Sequence, residues 1–173
     1  MGEGLGADPA GGQLDLFLRA ANDVHRYISR LTGGDRQLTE DIVQETFIAM
    51  FRHQKSRPDL EVGVGWLMTA ARNRLIDHVR SRQRDQARVE RHAASESRDV
   101  LPIDAAAISD ERARWMLAQL PEYERVALAL HVVDGMSIAD VATHLGRTVD
   151  ATTSLLARAR RHLRALALEM SDG

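Results

Sequence analysis

The side chains with the clearest chemical potential lie between Arg147 and Arg164. Five arginines fall in that stretch against Asp150 alone, a net charge of +4, in a chain whose formal net charge is −2. Asp150, Thr153, Ser154, Ala157, Arg158, Arg161 and Arg164 recur at three- and four-residue steps, which places them on one side of a helix. The chemistry on offer is recognition of a polyanion rather than bond making. Small front residues let a helix approach base edges closely, and arginines hold phosphates. The same residues also fit a plain helical hairpin with a solvated arginine face, so the surrounding elements have to decide.

Those elements read as two short helices joined by a tight turn. Ser137 is a predicted N-cap, and Asp140 three residues later completes a capping-box pattern. Ile138, Val141, Ala142 and Leu145 form one apolar face. Gly146 supplies the left-handed stop and Thr148 caps the next helix. Val149, Thr152, Leu156, Ala159, Leu163 and Leu166 are the expected buried positions of that last helix.

The rest of the chain is helical in pattern as well. Leu14 to Leu31 is an amphipathic helix stopped by Gly33 and Gly34. A second helix starts at about Asp35 or Thr39 and runs to His53, with Ile42, Val43, Thr46, Phe47, Met50 and Phe51 apolar. Its first turns carry a rim of Glu40, Asp41, Gln44 and Glu45. Carboxylates near a helix N-terminus favour the helix dipole, which accounts for Glu40 and Asp41 but less well for Gln44 and Glu45. After the loop from Lys55 to Gly65, Trp66 opens a third helix whose polar side carries Arg72, Asn73, Asp77, Arg80, Arg82 and Arg84. Helices resume near Ser109, and Pro121 is placed in the first turn of the helix that carries Val126, Ala129, Leu130 and Val133.

The predicted fold class is therefore all-α, with two small helical domains joined by a flexible linker. The boundaries are a disordered 1–12, a first domain over 13–86, a linker over 87–108, a helix-turn-helix domain over 109–168 and a tail over 169–173. Charge alternates along this order. Residues 72–92 hold seven basic against three acidic residues, 93–146 four against nine, and 147–164 five against one. Two basic blocks flanked by acidic segments predict a chain that touches one polyanion at two places but masks itself when free.

Several function classes are disfavoured. The chain has no cysteine, which removes disulfides and thiolate metal sites. Its seven histidines show no HExxH spacing, and neither GxxxxGK[ST] nor GxSxG occurs. No metal, no cofactor and no enzymatic activity are expected. No apolar run is long enough to span a membrane and the start has no signal-peptide pattern, so no membrane insertion and a cytoplasmic location are expected.

Two blocks together carry a family resemblance. LTEDIVQETFIAMFRH followed by GWLMTAARNRLIDHVRSRQRD resembles region 2 of the extracytoplasmic-function (ECF) sigma factors of the sigma-70 family. LAQLPEYERVALALHVVDGMSIADVATHLGRTVDATTSLLARARRHLRAL resembles their region 4. The resemblance implies a transcription-initiation factor whose partners are core RNA polymerase (the β′ clamp helices and the β subunit) and promoter DNA, with an anti-sigma factor as a further partner. It implies nucleoid association when bound to polymerase. Asp41, Val43, Gln44, Glu45 and Phe47 fall at polymerase-docking positions. Arg72, Asn73, Asp77, Arg80, Arg82 and Arg84 fall in the helix that serves the minus-ten element. Arg147, Thr148, Thr153, Ser154, Ala157, Arg158 and Arg161 fall at minus-thirty-five positions. Leu155 departs from the pattern, since family members often have arginine there. The alternative is a helix-turn-helix regulator that acts without polymerase, which would leave the acidic rim of the second helix unused.

Overall fold

The computed structural model describes residues 9–59, 62–89 and 111–170, with side chains described over 18–59, 62–85 and 111–170. Among the described residues there are seven helices and no strand. They are α1 (Pro9–Leu31), α2 (Arg36–Ser56), α3 (Val64–Val89), α4 (Glu111–Ala118), α5 (Glu122–Val132), α6 (Ile138–Leu145) and α7 (Val149–Glu169). The all-α class and the two helical units follow directly. The linker expected over 87–108 lies outside the described residues from 90 onward, as do 1–8 of the start and 171–173 of the tail.

Two boundaries differ from the sequence expectation. Helix α1 begins at Pro9, inside the segment expected to be disordered. Proline's fixed φ suits the first position of a helix, whereas Gly11 and Gly12 were the composition signal that argued against one. Helix α3 begins two residues before Trp66 and continues to Val89, into the expected linker, because neither glycine nor proline interrupts it there.

Local signals fix the other ends. The Asp35 carboxylate accepts the Leu38 N–H at 3.0 Å and starts α2. Ser137 Oγ accepts the Asp140 N–H at 3.1 Å and Thr148 Oγ1 accepts the Ala151 N–H at 3.2 Å. Gly146 has φ +64°, and the N–H groups of Gly146 and Arg147 turn back onto the Thr143 and Ala142 carbonyls at 3.2 and 2.9 Å. The turn between α6 and α7 thus closes as its residue types require.

The first three helices pack on one another, and α5 packs on α6 and α7. Periodicity gave α5 a single apolar face. Instead Val126 through Leu130 are all buried, because α5 also touches α1 and α3. A helix apolar all round belongs between two layers. Buried residues from Ala20 to Ala159 consequently form one continuous cluster across both units.

Candidate functional site

The acidic rim of α2 stands free of the core. Asp41, Gln44 and Glu45 are exposed, whereas Ile42, Thr46, Phe47 and Met50 face inward. Asp41 accepts a hydrogen bond from Gln37 at 3.1 Å. The rim borders an open groove of about 560 Å³ whose other wall is α3, which contributes Asn73, Arg74, Asp77 and His78. Two apolar residues beside the rim were not legible beforehand. Ile48, passed over by the periodicity, is 49% exposed beside Glu45, and Phe51, expected to be buried, is 43% exposed. They give the rim an apolar flank. One docking candidate needs correction: Phe47 is 3% exposed, so its side chain faces the core and not the surface. Val43 is only partly buried against that core.

The six polar residues of α3 do not form one surface. Asn73 and Asp77 line the groove with the rim. Arg72 points the other way and pairs with Asp134 at 3.4 Å. The Arg80 guanidinium lies over Gly146, where a Cβ would sit 2.8 Å from its Nη2. Arg82 pairs with Glu122 at 3.5 Å while remaining 67% exposed, and Arg84 is exposed. Sequence spacing alone placed all six on a generic polar side. Their division follows from which neighbour each half of α3 meets.

On α7, Thr148 and Ser154 are exposed, Thr153 is half-buried with its hydroxyl donating to the Val149 carbonyl at 2.9 Å, and Arg161 is exposed. Arg147 stacks on the Tyr123 ring, with its guanidinium carbon 5.2 Å from the ring centroid. Tyr123 in turn donates to the Leu145 carbonyl at 3.0 Å, which ties α5 to the α6–α7 turn. Burial raises the Tyr123 pKa, with Arg147 and Arg80 opposing, so the phenol stays a donor.

Ala157 is a correction, since it is 3% exposed and lies beneath the surface expected to meet DNA. Val149 is the converse, 50% exposed despite its place in the apolar series. It stands at the first position of α7, where the helix has not yet reached the core. Leu155 is 2% exposed and belongs to the core cluster, which accounts for an apolar residue there.

Glu124 was missed as a functional residue. It is 7% exposed, lies in hydrogen-bond contact with His162 Nδ1 at 2.7 Å, and pairs with Arg158 at 3.7 Å. Both partners lie on α7, more than thirty residues away, so no local pattern could signal it. Arg160 was missed as well. It is 4% exposed, its Nε and Nη1 lack hydrogen-bond partners, and burial followed by repulsion from Arg164 lowers its pKa. Among the described residues no group of three or more His, Asp and Glu is placed to hold a metal ion. No described helix is long and apolar enough to cross a membrane.

Each of the two helical units matches a known family. Residues 16–85 match the Sigma-70 region 2 family and residues 111–163 match the Sigma-70, region 4 family. The chain is 32% identical over 167 residues to the ECF RNA polymerase sigma factor SigL of Mycobacterium tuberculosis, covering 89% of this chain and 90% of that one. It is 29% identical over 154 residues to the ECF RNA polymerase sigma factor SigM of Bacillus subtilis, covering 88% and 93%. Among solved structures, the sigma factor RpoE from Bartonella quintana, in complex with the anti-sigma factor NepR, aligns with a TM-score of 0.49 at 24% identity, over 87% of this chain and 93% of that one. The chain belongs to the ECF sigma factors of the sigma-70 family, and its function lies in transcription initiation.

Proposed function

We propose that this chain binds core RNA polymerase through the exposed rim of α2 and directs initiation at promoters carrying two elements. The observation that carries this reading is the rim itself. Asp41, Gln44 and Glu45 are exposed beside an exposed Ile48, a surface that the protein's own packing does not use. In this reading the β′ clamp helices meet the rim and the β subunit is contacted elsewhere on the chain. Arg72, Arg80, Arg82 and Arg84 hold backbone phosphates of the minus-ten strand, since a basic helix is suited to tracking a single strand. Asn73 and Asp77 border the docking groove instead. Arg147, Thr148, Ser154, Arg158 and Arg161 meet the minus-thirty-five duplex, with early residues on bases and later ones on phosphate. The protein is a non-enzymatic specificity subunit that works in the cytoplasm, at the nucleoid when bound to polymerase. An anti-sigma factor that covers the same surfaces would regulate it.

Run-off transcription with core polymerase and genomic DNA tests the reading and reveals the promoters together. Transcripts that need both the chain and core polymerase are expected. DNA binding that is specific without any polymerase-dependent initiation would overturn the reading in favour of a stand-alone regulator. The docking surface has its own prediction. Charge reversal at Asp41 and Glu45 to lysine should weaken capture of core polymerase roughly tenfold or more, since like-charge juxtaposition costs several kcal/mol. Thermal stability should shift by no more than about 0.5 kcal/mol, as expected for exposed positions. Capture at wild-type strength would remove α2 from the interface.

A further inference from the structure

Glu124 of α5 stands against two residues of α7, and its side chain is buried. His162 Nδ1 lies 2.7 Å from one carboxylate oxygen, Oε2, and Arg158 Nε lies 3.7 Å from the other, Oε1. Arg158 and His162 are four residues apart, so they share one side of α7, and a single carboxylate reaches both. The two contacts differ in kind. The first has the length of a hydrogen bond, whereas 3.7 Å is an ion pair without one. The Arg158 Nε is buried and has no hydrogen-bond partner, yet the side chain as a whole stays 36% exposed.

The attraction therefore acts on one end of the guanidinium. Glu124 comes closest at Nε, and the two Nη groups can still supply a fork for guanine O6 and N7. Arginine has a long, rotamer-rich side chain, and a base contact uses only one of its arrangements. A buried carboxylate behind Nε favours the arrangements that keep Nε near α5, and it acts in surroundings that screen charge less than water does. A phosphate contact made by swinging the arginine away forfeits that attraction. A base contact made in place keeps it. The bias thus raises discrimination between sequences more than binding to any DNA. His162 holds the carboxylate by its second oxygen and fixes its direction, as outer partners orient the groups that make the contact.

We propose that Glu124 is a positioning residue for promoter recognition: anchored by His162, it directs the Arg158 guanidinium toward base edges and away from phosphate. The part played by Arg158 at the upstream element rests on the proposed function. The test is run-off transcription by the full-length chain with core polymerase, on promoters recovered with the wild-type chain and carrying either the native or a scrambled upstream element. The readout is the ratio of the two outputs, with a melting curve for each variant.

Glu124→Gln keeps the size and hydrogen-bonding capacity of the side chain and removes its charge. The ratio is expected to fall roughly three- to tenfold, through lower output on the native template. His162→Ala, at a side chain 53% exposed, should give a smaller fall. His162→Asn keeps a hydrogen-bonding nitrogen near the Nδ1 position and should recover most of it. Added to Arg158→Ala, Glu124→Gln should cause no further fall, because the carboxylate has nothing left to direct. A purely structural role would persist without Arg158. Full preference in Glu124→Gln, an equal loss on both templates, or the same further loss in the Arg158→Ala background would overturn the proposal. If melting shows Glu124→Gln to be unfolded, His162→Ala decides, and unchanged preference there would overturn it. A wild-type chain that initiates with core polymerase but ignores the upstream element would refute the functional reading of Arg158, and the proposal with it.

Discussion

Leu156→Ala should destabilise the protein by about 2–5 kcal/mol, the range for deleting a fully buried leucine side chain whose site cannot collapse. Leu156 is 0% exposed and among the largest fully buried side chains. It lies in α7, which packs on α4, α5 and α6, so the gap is enclosed from several sides. That loss is a large part of the roughly 5–15 kcal/mol available to an ordinary fold, and a fall in the melting midpoint of roughly 5–15 °C follows from it. Val149→Ala is the informative comparison. Both residues belong to the same apolar series in the sequence, but Val149 is half exposed, and its truncation should stay within about 0.5 kcal/mol. Thermal unfolding of both variants separates the two. Equal losses would mean that Val149 is packed after all, and a loss below about 1 kcal/mol at Leu156 would contradict the burial of α7.

That comparison shows where the sequence was legible. Signals that act within four residues were readable. The caps at Ser137 and Thr148 and the glycine stop at 146 depend on neighbours in the chain and occur at the expected residues, and of the two starts expected for α2 the structure takes Asp35. The acidic rim of α2 was readable for the same reason, since Asp41, Gln44 and Glu45 share one side of a helix whose other side is apolar. What failed depended on partners remote in sequence. The periodic pattern could not show that α5 is enclosed on all sides, because its second set of neighbours comes from α1 and α3. Nor could it separate Arg72 from Asn73, which are adjacent in the chain but face a carboxylate 62 residues away and the α2 groove respectively.

Small residues failed in another way. Ala157 fits a close approach to DNA and fits burial equally well, and only the packing of α7 decides for burial. Phe47 was named on family position, and its burial follows from its place in the apolar series of α2. Glu124 shows the reverse error. Its place in the first turn of α5 suits the helix dipole, and the contacts with Arg158 and His162 give it a second use. An adequate local explanation hid a distant one.

Arg158→Ala should lower transcription selectively on promoters with the native upstream element, by roughly 5- to 150-fold, which corresponds to the roughly 1–3 kcal/mol of discrimination carried by one bidentate contact to guanine. With Ala157 buried, Arg158 is the arginine nearest the exposed Ser154, one turn before it on α7. Its side chain is 36% exposed and lies 3.7 Å from Glu124, a loose pair that DNA can replace. Glu124 would not be abandoned on release, because His162 remains at 2.7 Å. Arg161 is exposed on the next position along that side. Arg161→Ala should cause a smaller loss that is insensitive to the upstream sequence and grows with salt, as phosphate contacts do. Arg158→Lys separates the base contact from support of Glu124. Lysine keeps the charge but cannot form the bidentate fork, so this variant should melt like the wild type yet lose the preference for the native element. Paired run-off assays on native and scrambled upstream elements, with a melting curve for each variant, make the comparison. Full preference retained by Arg158→Lys, or equal loss on both templates for Arg158→Ala, would assign the arginine to positioning and remove it from base reading.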